Sequence, residues 1–303
     1  MTTHTPYITR IAPSPTGYFH LGTARTAYFS WLAARATGGK FLLRIDDTDA
    51  ARNDDAFIDV IYKAMDYLKL DFDATFRQSD RRSRYAQVAA GLVAKGRAVH
   101  RDGAVFLTHP LSLNPGFTAV ADAAVGSIPV TQGDHDTVAS MVLIKSDGMA
   151  TYHFASVVDD IDTAVNFVIR GADHISNTVR QAALYLALDA VMPKYAHVGL
   201  LHDQATGKKL SKSTGAPSVL DYQADGIDPD ALSNFLLRMG WGPKVDDKST
   251  TTITRDRALH LFLDGGNLRG ASAKADWQKL AAYDRKYKAA KSVPMAQRAS
   301  CGR

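Results

Sequence analysis

Thr9-Arg10-Ile11-Ala12-Pro13-Ser14-Pro15-Thr16-Gly17-Tyr18-Phe19-His20-Leu21-Gly22-Thr23 is the stretch around which the chain is organised. A short β-branched run meets a Pro/Ser/Thr/Gly turn, then His-Leu-Gly, and a helical pattern follows, so the chain passes here from strand to helix. Such a junction presents unbonded backbone N–H groups and the positive end of a helix dipole, a favourable place for phosphate. The stretch therefore predicts a nucleotide-binding corner. Its glycines permit close approach, and His20 and Thr16 are placed to donate to phosphate oxygens.

Outward from the corner, Ala24 to Arg35 reads as a helix with Ala27, Tyr28, Trp31 and Leu32 on one face, stopped by Gly38-Gly39. Phe41 to Ile45 is an apolar run of strand length that ends in Asp46-Asp47-Thr48-Asp49. Strand, helix, strand is the unit of a parallel sheet, so the fold class is α/β. Asn53 or Asp54 caps a helix carrying Phe57, Ile61, Ala64 and Leu68, and another helix fits Ser83 to Lys95. From about Val99 to Gly133 prolines and glycines interrupt short apolar pieces, which reads as an insertion of short strands and loops. Regularity returns with a strand over Ser140–Lys145, a turn at Asp147-Gly148, a strand over Phe167–Arg170 and an amphipathic helix over Val179–Val191. A Lys/Ser loop follows at Ala205–Gly215, then a helix from Pro229 closed by Gly240. Lys244–Thr252 is polar and linker-like, and the remainder reads as a small helical extension after a catalytic domain of residues 1–240.

The totals leave room for a sizeable core: 303 residues, 46% of them hydrophobic. A net charge of +5 permits an anionic partner without demanding one. The single cysteine, Cys301, allows no intrachain disulfide and no thiolate zinc cluster. The N-terminus has no signal pattern and no apolar run approaches the roughly 20 residues of a membrane span, so a cytoplasmic monomer is expected.

Beyond the corner, three stretches carry candidate chemistry. Lys208 to Ser213 holds three lysines and two serines in a glycine-bounded loop, suited to a polyphosphate whose charge grows during reaction. Arg44-Ile45-Asp46-Asp47-Thr48-Asp49 lies at a strand's C-terminal end, where its acids would hold an ammonium group, a divalent ion or simply a helix cap. Thr151-Tyr152-His153-Phe154-Ala155-Ser156-Val157-Val158-Asp159-Asp160 precedes Ile169-Arg170-Gly171-Ala172-Asp173-His174; Arg170 would grip a carboxylate or pair with Asp159 or Asp160. Each stretch alone also reads as ordinary scaffold or solvated surface.

Taken together and in order, Arg-Ile-Ala-Pro-Ser-Pro-Thr-Gly with His-Leu-Gly, Arg-Ile-Asp-Asp-Thr-Asp, Tyr-His-Phe-Ala-Ser-Val-Val-Asp-Asp, Val-Ile-Arg-Gly-Ala-Asp-His and Lys-Leu-Ser-Lys-Ser closely resemble the glutamyl-tRNA synthetases, class I aminoacyl-tRNA synthetases. The likeness runs from about Thr9 to Tyr283. It implies a Rossmann-type sheet on which Ala12, His20, Gly22, Lys209, Leu210 and Lys212 bind ATP, entering with Mg²⁺. It further implies that His20 and Lys212 stabilise the α-phosphate with help from Thr16 and Lys209. Arg10 and Arg170 would clamp the side-chain carboxylate of glutamate, Asp46 its amino group, and Ser14, Tyr152 and Ser156 would line the pocket. The implied activity is ATP-dependent formation of glutamyl-adenylate and transfer of the glutamyl group to tRNA or a modified nucleobase.

Departures from that pattern are as informative. The family usually has glutamate where Asp46 stands and an acid where Ala172 stands. Only about Val99 to Ser140 is available for the acceptor-stem insertion, and the chain is expected to lack an anticodon-binding domain. Its length is similar to that of the glutamyl-Q tRNA(Asp) synthetases, yet their usual cysteine-rich zinc site has no counterpart, and His100, His109 and His135 are too dispersed for a metal. The acceptor alternatives are a DNA base or a small-molecule amine. The alternatives to this enzyme are a non-catalytic paralogue binding nucleotide or RNA, and a different nucleotidyltransferase; the last offers no account of the Arg10 and Arg170 pair.

Overall fold

A computed structural model of the chain describes residues 5–48, 52–108, 111, 115–210, 217–243, 252–264 and 266–292. It begins with β1 (Ile8–Ile11), α1 (Leu21–Ala36), β2 (Lys40–Ile45), α2 (Ala56–Tyr67) and β3 (Ala74–Arg77). The three strands pair in parallel in the order β1-β2-β3, as expected of a strand–helix–strand start. α1 is buried on all sides from Ala24 to Ala34, Arg25 and Ser30 included, because it lies between the sheet and later helices. Its apolar residues therefore form no single stripe.

α3 (Arg82–Ala94) leads into the irregular segment, which consists of β4 (Ala98–Arg101), β5 (Ala104–Leu107), β6 (Ala119–Asp122), β7 (Gly126–Pro129), α4 (Gln132–Ala139) and β8 (Val142–Ile144). The strands β4, β5 and β8 form a small antiparallel sheet. Next come α5 (Tyr152–Asp162), β9 (Phe167–Gly171), α6 (Ile175–Ala187) and β10 (Lys194–Val198). β10 pairs in parallel with β9 on one side and with β6 on the other, so the β6–β7 hairpin is an annex of the second parallel sheet. α6 differs from the expected Val179–Val191 helix. It starts directly after the turn Ala172–His174 and ends at Ala187, where Asp189 adopts φ +54° and the N–H groups of Asp189 and Ala190 bond back to Leu186 and Tyr185. This C-terminal stop usually carries glycine, so an aspartate there gave no warning.

The rest comprises β11 (Leu201–Asp203), α7 (Val219–Ala224), α8 (Pro229–Arg238), β12 (Trp241–Pro243), α9 (Arg255–Asp264), β13 (Gly266–Leu268), β14 (Ala273–Ala275) and α10 (Trp277–Ser292). The residues beyond Gly240 thus include short strands as well as helices. Ile253, Ala258, Leu261, Leu280 and Tyr283 join the same apolar cluster as α1, β1 and β2. A second cluster lies where α3, α5 and α6 meet the β4-β5-β8 sheet.

For function the decisive neighbourhood is that of β1 and β9. They lie side by side: the Asn166 N–H donates to the Ile8 carbonyl (3.0 Å) and the Ile8 N–H to the Asn166 side chain (2.8 Å). Their C-terminal ends, at Ile11 and Gly171, lie where the strand order reverses, β1-β2-β3 running one way and β9-β10-β6 the other, and Gly171 lines a crevice there. Ligands bind at such a point in open α/β sheets.

Candidate functional site

His20 is the N-cap of α1, and its Nδ1 accepts the N–H of Gly22 at 3.1 Å. A ring nitrogen that accepts carries no proton, so the proton of the neutral ring is on Nε2, 3.2 Å from Thr23 Oγ1. Burial lowers the pKa of His20 against the pull of Asp173, favouring this neutral donor. The cap explains Gly22: a Cβ there would stand 2.9 Å from His20 Cε1. Cavities lie on both sides of the ring. One of about 150 Å³ is lined by His20, Gly22, Thr23, Asp173, Lys209 and Leu210 among others. The other, about 200 Å³, is lined by Ser14, Thr16, Tyr18, His20 and Ile61 among others.

The Lys/Ser loop returns to this corner at both described ends. Lys209 Nζ is 3.1 Å from Asp173, and Leu210 lines the first cavity. On the far side, Ser218 caps α7 and forms a bridge with His20, while the Val219 N–H donates to Phe19 O at 2.9 Å. Lys212 and Ser213 lie outside the described residues.

Across the crevice the buried arginines have contrasting company. Arg10 donates through Nε and Nη2 to Asp160 (3.2 and 3.3 Å). Arg44 donates to Asp160 at 2.6 Å and to both oxygens of Asp46 at 2.6 and 3.3 Å, and it also meets the Ser156 carbonyl and hydroxyl. Asp46 and Ser156 are thus gripped by Arg44 beneath the crevice. Burial pushes Asp46 up to about 6 even against that guanidinium. Asp159 continues the network to Gln78, Tyr85 and Arg81.

Arg170 is equally buried but has no carboxylate partner among the described residues. Its Nε donates to His197 Nε2 (2.9 Å), Nη1 to Gln181 Oε1 (2.6 Å) and Nη2 to Thr178 Oγ1 (2.9 Å), three neutral acceptors. Desolvation lowers its pKa; Tyr152, Tyr195 and the charge of Asp160 oppose that effect, and the charge of Arg10 adds to it. Two imidazoles stand near. Burial first, then neighbouring arginines, hold His153 and His174 down to about 4, so both are neutral at pH 7.

The structure therefore gathers Ser14, Thr16, His20, Gly22, Lys209 and Leu210 at one end of the crevice and Arg10, Tyr152 and Arg170 at the other. Ala12 follows directly on β1. Arg170 pairs with neither Asp159 nor Asp160, whose partners are Arg10, Arg44 and Arg81. Sequence reading passed over Arg44's gripping role, Thr178, Gln181 and His197; only the β9–β10 register, which sets His197 opposite Arg170, reveals the last. Among the described residues no group of three His, Cys, Asp or Glu side chains is arranged to hold a metal, and no helix is long and apolar enough to cross a membrane.

Residues 7–103 and 114–266 match the family model described as tRNA synthetases class I (E and Q), catalytic domain. Glutamate–tRNA ligase 2 of Neorickettsia sennetsu is 42% identical over 274 residues, covering 90% of this chain and 64% of that protein. Glutamate–tRNA ligase 1 of Sphingopyxis alaskensis is 41% identical, covering 90% of this chain and 61% of its own length. The chain thus spans a little under two thirds of these curated relatives. A crystal structure of a glutamate tRNA ligase from Elizabethkingia meningosepticum in complex with its amino acid superposes with a TM-score of 0.75 at 23% identity, over 93% of this chain and 70% of that one, a likeness of fold. With the strand-end crevice, the His20 corner and a family match across both halves of the sheet, the chain belongs to the class I tRNA synthetases (E and Q), through their catalytic domain.

Proposed function

We propose that this chain activates glutamate with ATP and passes the glutamyl group to an acceptor, tRNA foremost. The observation that carries the reading is Arg170: a buried guanidinium whose direct partners are all neutral acceptors, adjacent in the chain to Gly171, which lines the His20 cavity. A buried guanidinium with no carboxylate in direct contact has room for one, and the side-chain carboxylate of a substrate would fill that place. The amide of glutamine would not, so the same feature favours glutamate within a family that serves both amino acids. The ligase names of the relatives agree with this choice.

In this reading the α-carboxylate of glutamate attacks the α-phosphorus of ATP; a P–O bond forms and pyrophosphate leaves with the cleaved P–O bond's electron pair. His20 Nε2–H, Thr16 and Lys209, joined by Lys212, donate to the phosphate oxygens as charge builds on them. Arg10 and Arg170 orient the side-chain carboxylate beside Tyr152, with Ser14 on the nucleotide side. Asp46, with Ser156 behind it, faces the amino group while Arg44 keeps it in place. Mg²⁺ enters with the nucleotide as part of the substrate. Catalysis here is chiefly position and charge, with no covalent enzyme intermediate.

The test is exchange of labelled pyrophosphate into ATP, with and without tRNA, for glutamate and for glutamine. Exchange dependent on glutamate is expected, followed by transfer of labelled glutamate to tRNA. Exchange with glutamine alone, or with neither amino acid under both conditions, overturns the reading.

A further inference from the structure

The short irregular insertion reaches the amino-acid end of the crevice through one side chain. Asp122 closes β6, where its Oδ1 accepts the N–H groups of Ala124 (2.8 Å) and Val125 (2.9 Å), the turn that starts the β6–β7 hairpin. Its Oδ2 lies 2.6 Å from His197 Nδ1, and the His197 backbone N–H donates to the same carboxylate at 3.2 Å. Both side chains are fully buried. On the other edge of the ring, Nε2 faces Arg170 Nε at 2.9 Å and the Thr178 hydroxyl at 3.1 Å.

The donors and acceptors leave one arrangement for this row. A guanidinium has only donors, so His197 Nε2 must accept, which puts the ring proton on Nδ1 and directs it at Asp122. The carboxylate thus selects the tautomer that can receive Arg170, as a buried acid orients the imidazole of a catalytic triad. Gln181 and Thr178 of α6 fix the other two guanidinium nitrogens, so the ring decides the remaining direction. We infer that Asp122 and His197 are positioning residues that hold Arg170 in register for the substrate carboxylate, giving the abbreviated insertion a role in amino-acid selection. This rests on the assignment of Arg170 to the glutamate side chain.

Asp122→Asn is the discriminating change. The amide oxygen can retain the Ala124 and Val125 turn while its NH₂ faces His197, which drives the ring proton to Nε2 and sets two donors against each other at Arg170. Glutamate Kd by calorimetry and glutamate KM in pyrophosphate exchange should rise roughly tenfold, the scale of losing a charge-assisted hydrogen bond, with the ATP KM unchanged. A misfolded fraction lowers kcat and the binding stoichiometry but leaves both KM values alone. In ¹⁵N spectra the unprotonated, pyridine-type nitrogen of His197 should move from Nε2 to Nδ1. His197→Gln, which preserves an acceptor for Arg170, should bind glutamate more tightly than His197→Phe. The inference falls if Asp122→Asn and His197→Phe alter only thermal stability or kcat while Arg170→Met weakens glutamate binding. If Arg170→Met leaves glutamate binding intact, the carboxylate assignment itself fails and takes this inference with it.

Discussion

Arg10 and Arg170 stand at the ends of neighbouring strands and are buried to the same degree, 7% and 6% exposed, yet their surroundings are opposites. Around Arg10, three arginines and three aspartates, Arg44, Arg81, Asp46, Asp159 and Asp160 completing the set, are linked by ion pairs between 2.6 and 3.7 Å. Around Arg170 every fixed acceptor is neutral. A guanidinium saturated by carboxylates at contact distance is held firmly in place, whereas one held by neutral groups can still take a carboxylate directly. The contrast separates arginines already in direct contact with carboxylates from one whose direct partners leave room for another.

Asp160→Asn should break that contrast most forcefully. It removes one carboxylate from two arginines at once, and leaving buried cations uncompensated costs about 3–5 kcal/mol. Urea denaturation should show that loss as a lower midpoint with an unchanged slope; a variant within 1 kcal/mol of the parent would mean the cluster is no frame. Arg170→Met should do the reverse. Fold stability should fall less than in Asp160→Asn, since relief of the guanidinium's desolvation offsets the acceptors left open, while glutamate affinity should fall by roughly 100-fold, the scale of truncating one side of a buried charge pair. Equal damage to stability and affinity would erase the distinction.

A smaller effect concerns pH. Burial and the charges of Arg180 and Arg170 hold His153 near 4, below the 6.5 of an unfolded histidine. Between about pH 6.5 and 4 the unfolded chain therefore binds a proton that the folded one refuses, and stability falls as acid is added across that window. The upper bound is roughly 3 kcal/mol for a shift of this size. His153→Asn should flatten the stability profile between pH 6.5 and 4, and an unchanged slope would show that this ring does not set it.

Much of the fold was legible because hydrophobic periodicity reports burial directly. The parallel start, the insertion of short strands and the helices at Arg82–Ala94 and Pro229–Arg238 all follow from local pattern and capping. The end of α6 was missed because Asp189 occupies a left-handed position without the glycine that usually marks it. Asp122 was hidden in the segment with the weakest pattern, and His197 interrupts an otherwise apolar strand with nothing local to indicate its purpose.

The sequence by itself determined the α/β class and the strand-to-helix corner at His20, since strand–helix alternation and turn composition are local properties. Only the tertiary structure decided the company each charge keeps. Arg10, Arg44 and Arg170 look alike on paper, yet Arg10 meets Asp160 from 150 residues away, Arg44 meets Asp160 from 116 residues away as well as the nearby Asp46, and Arg170 meets α6 and the next strand. The free energy of a buried charge is set by its solvation and its partners, and both are created only when distant segments pack.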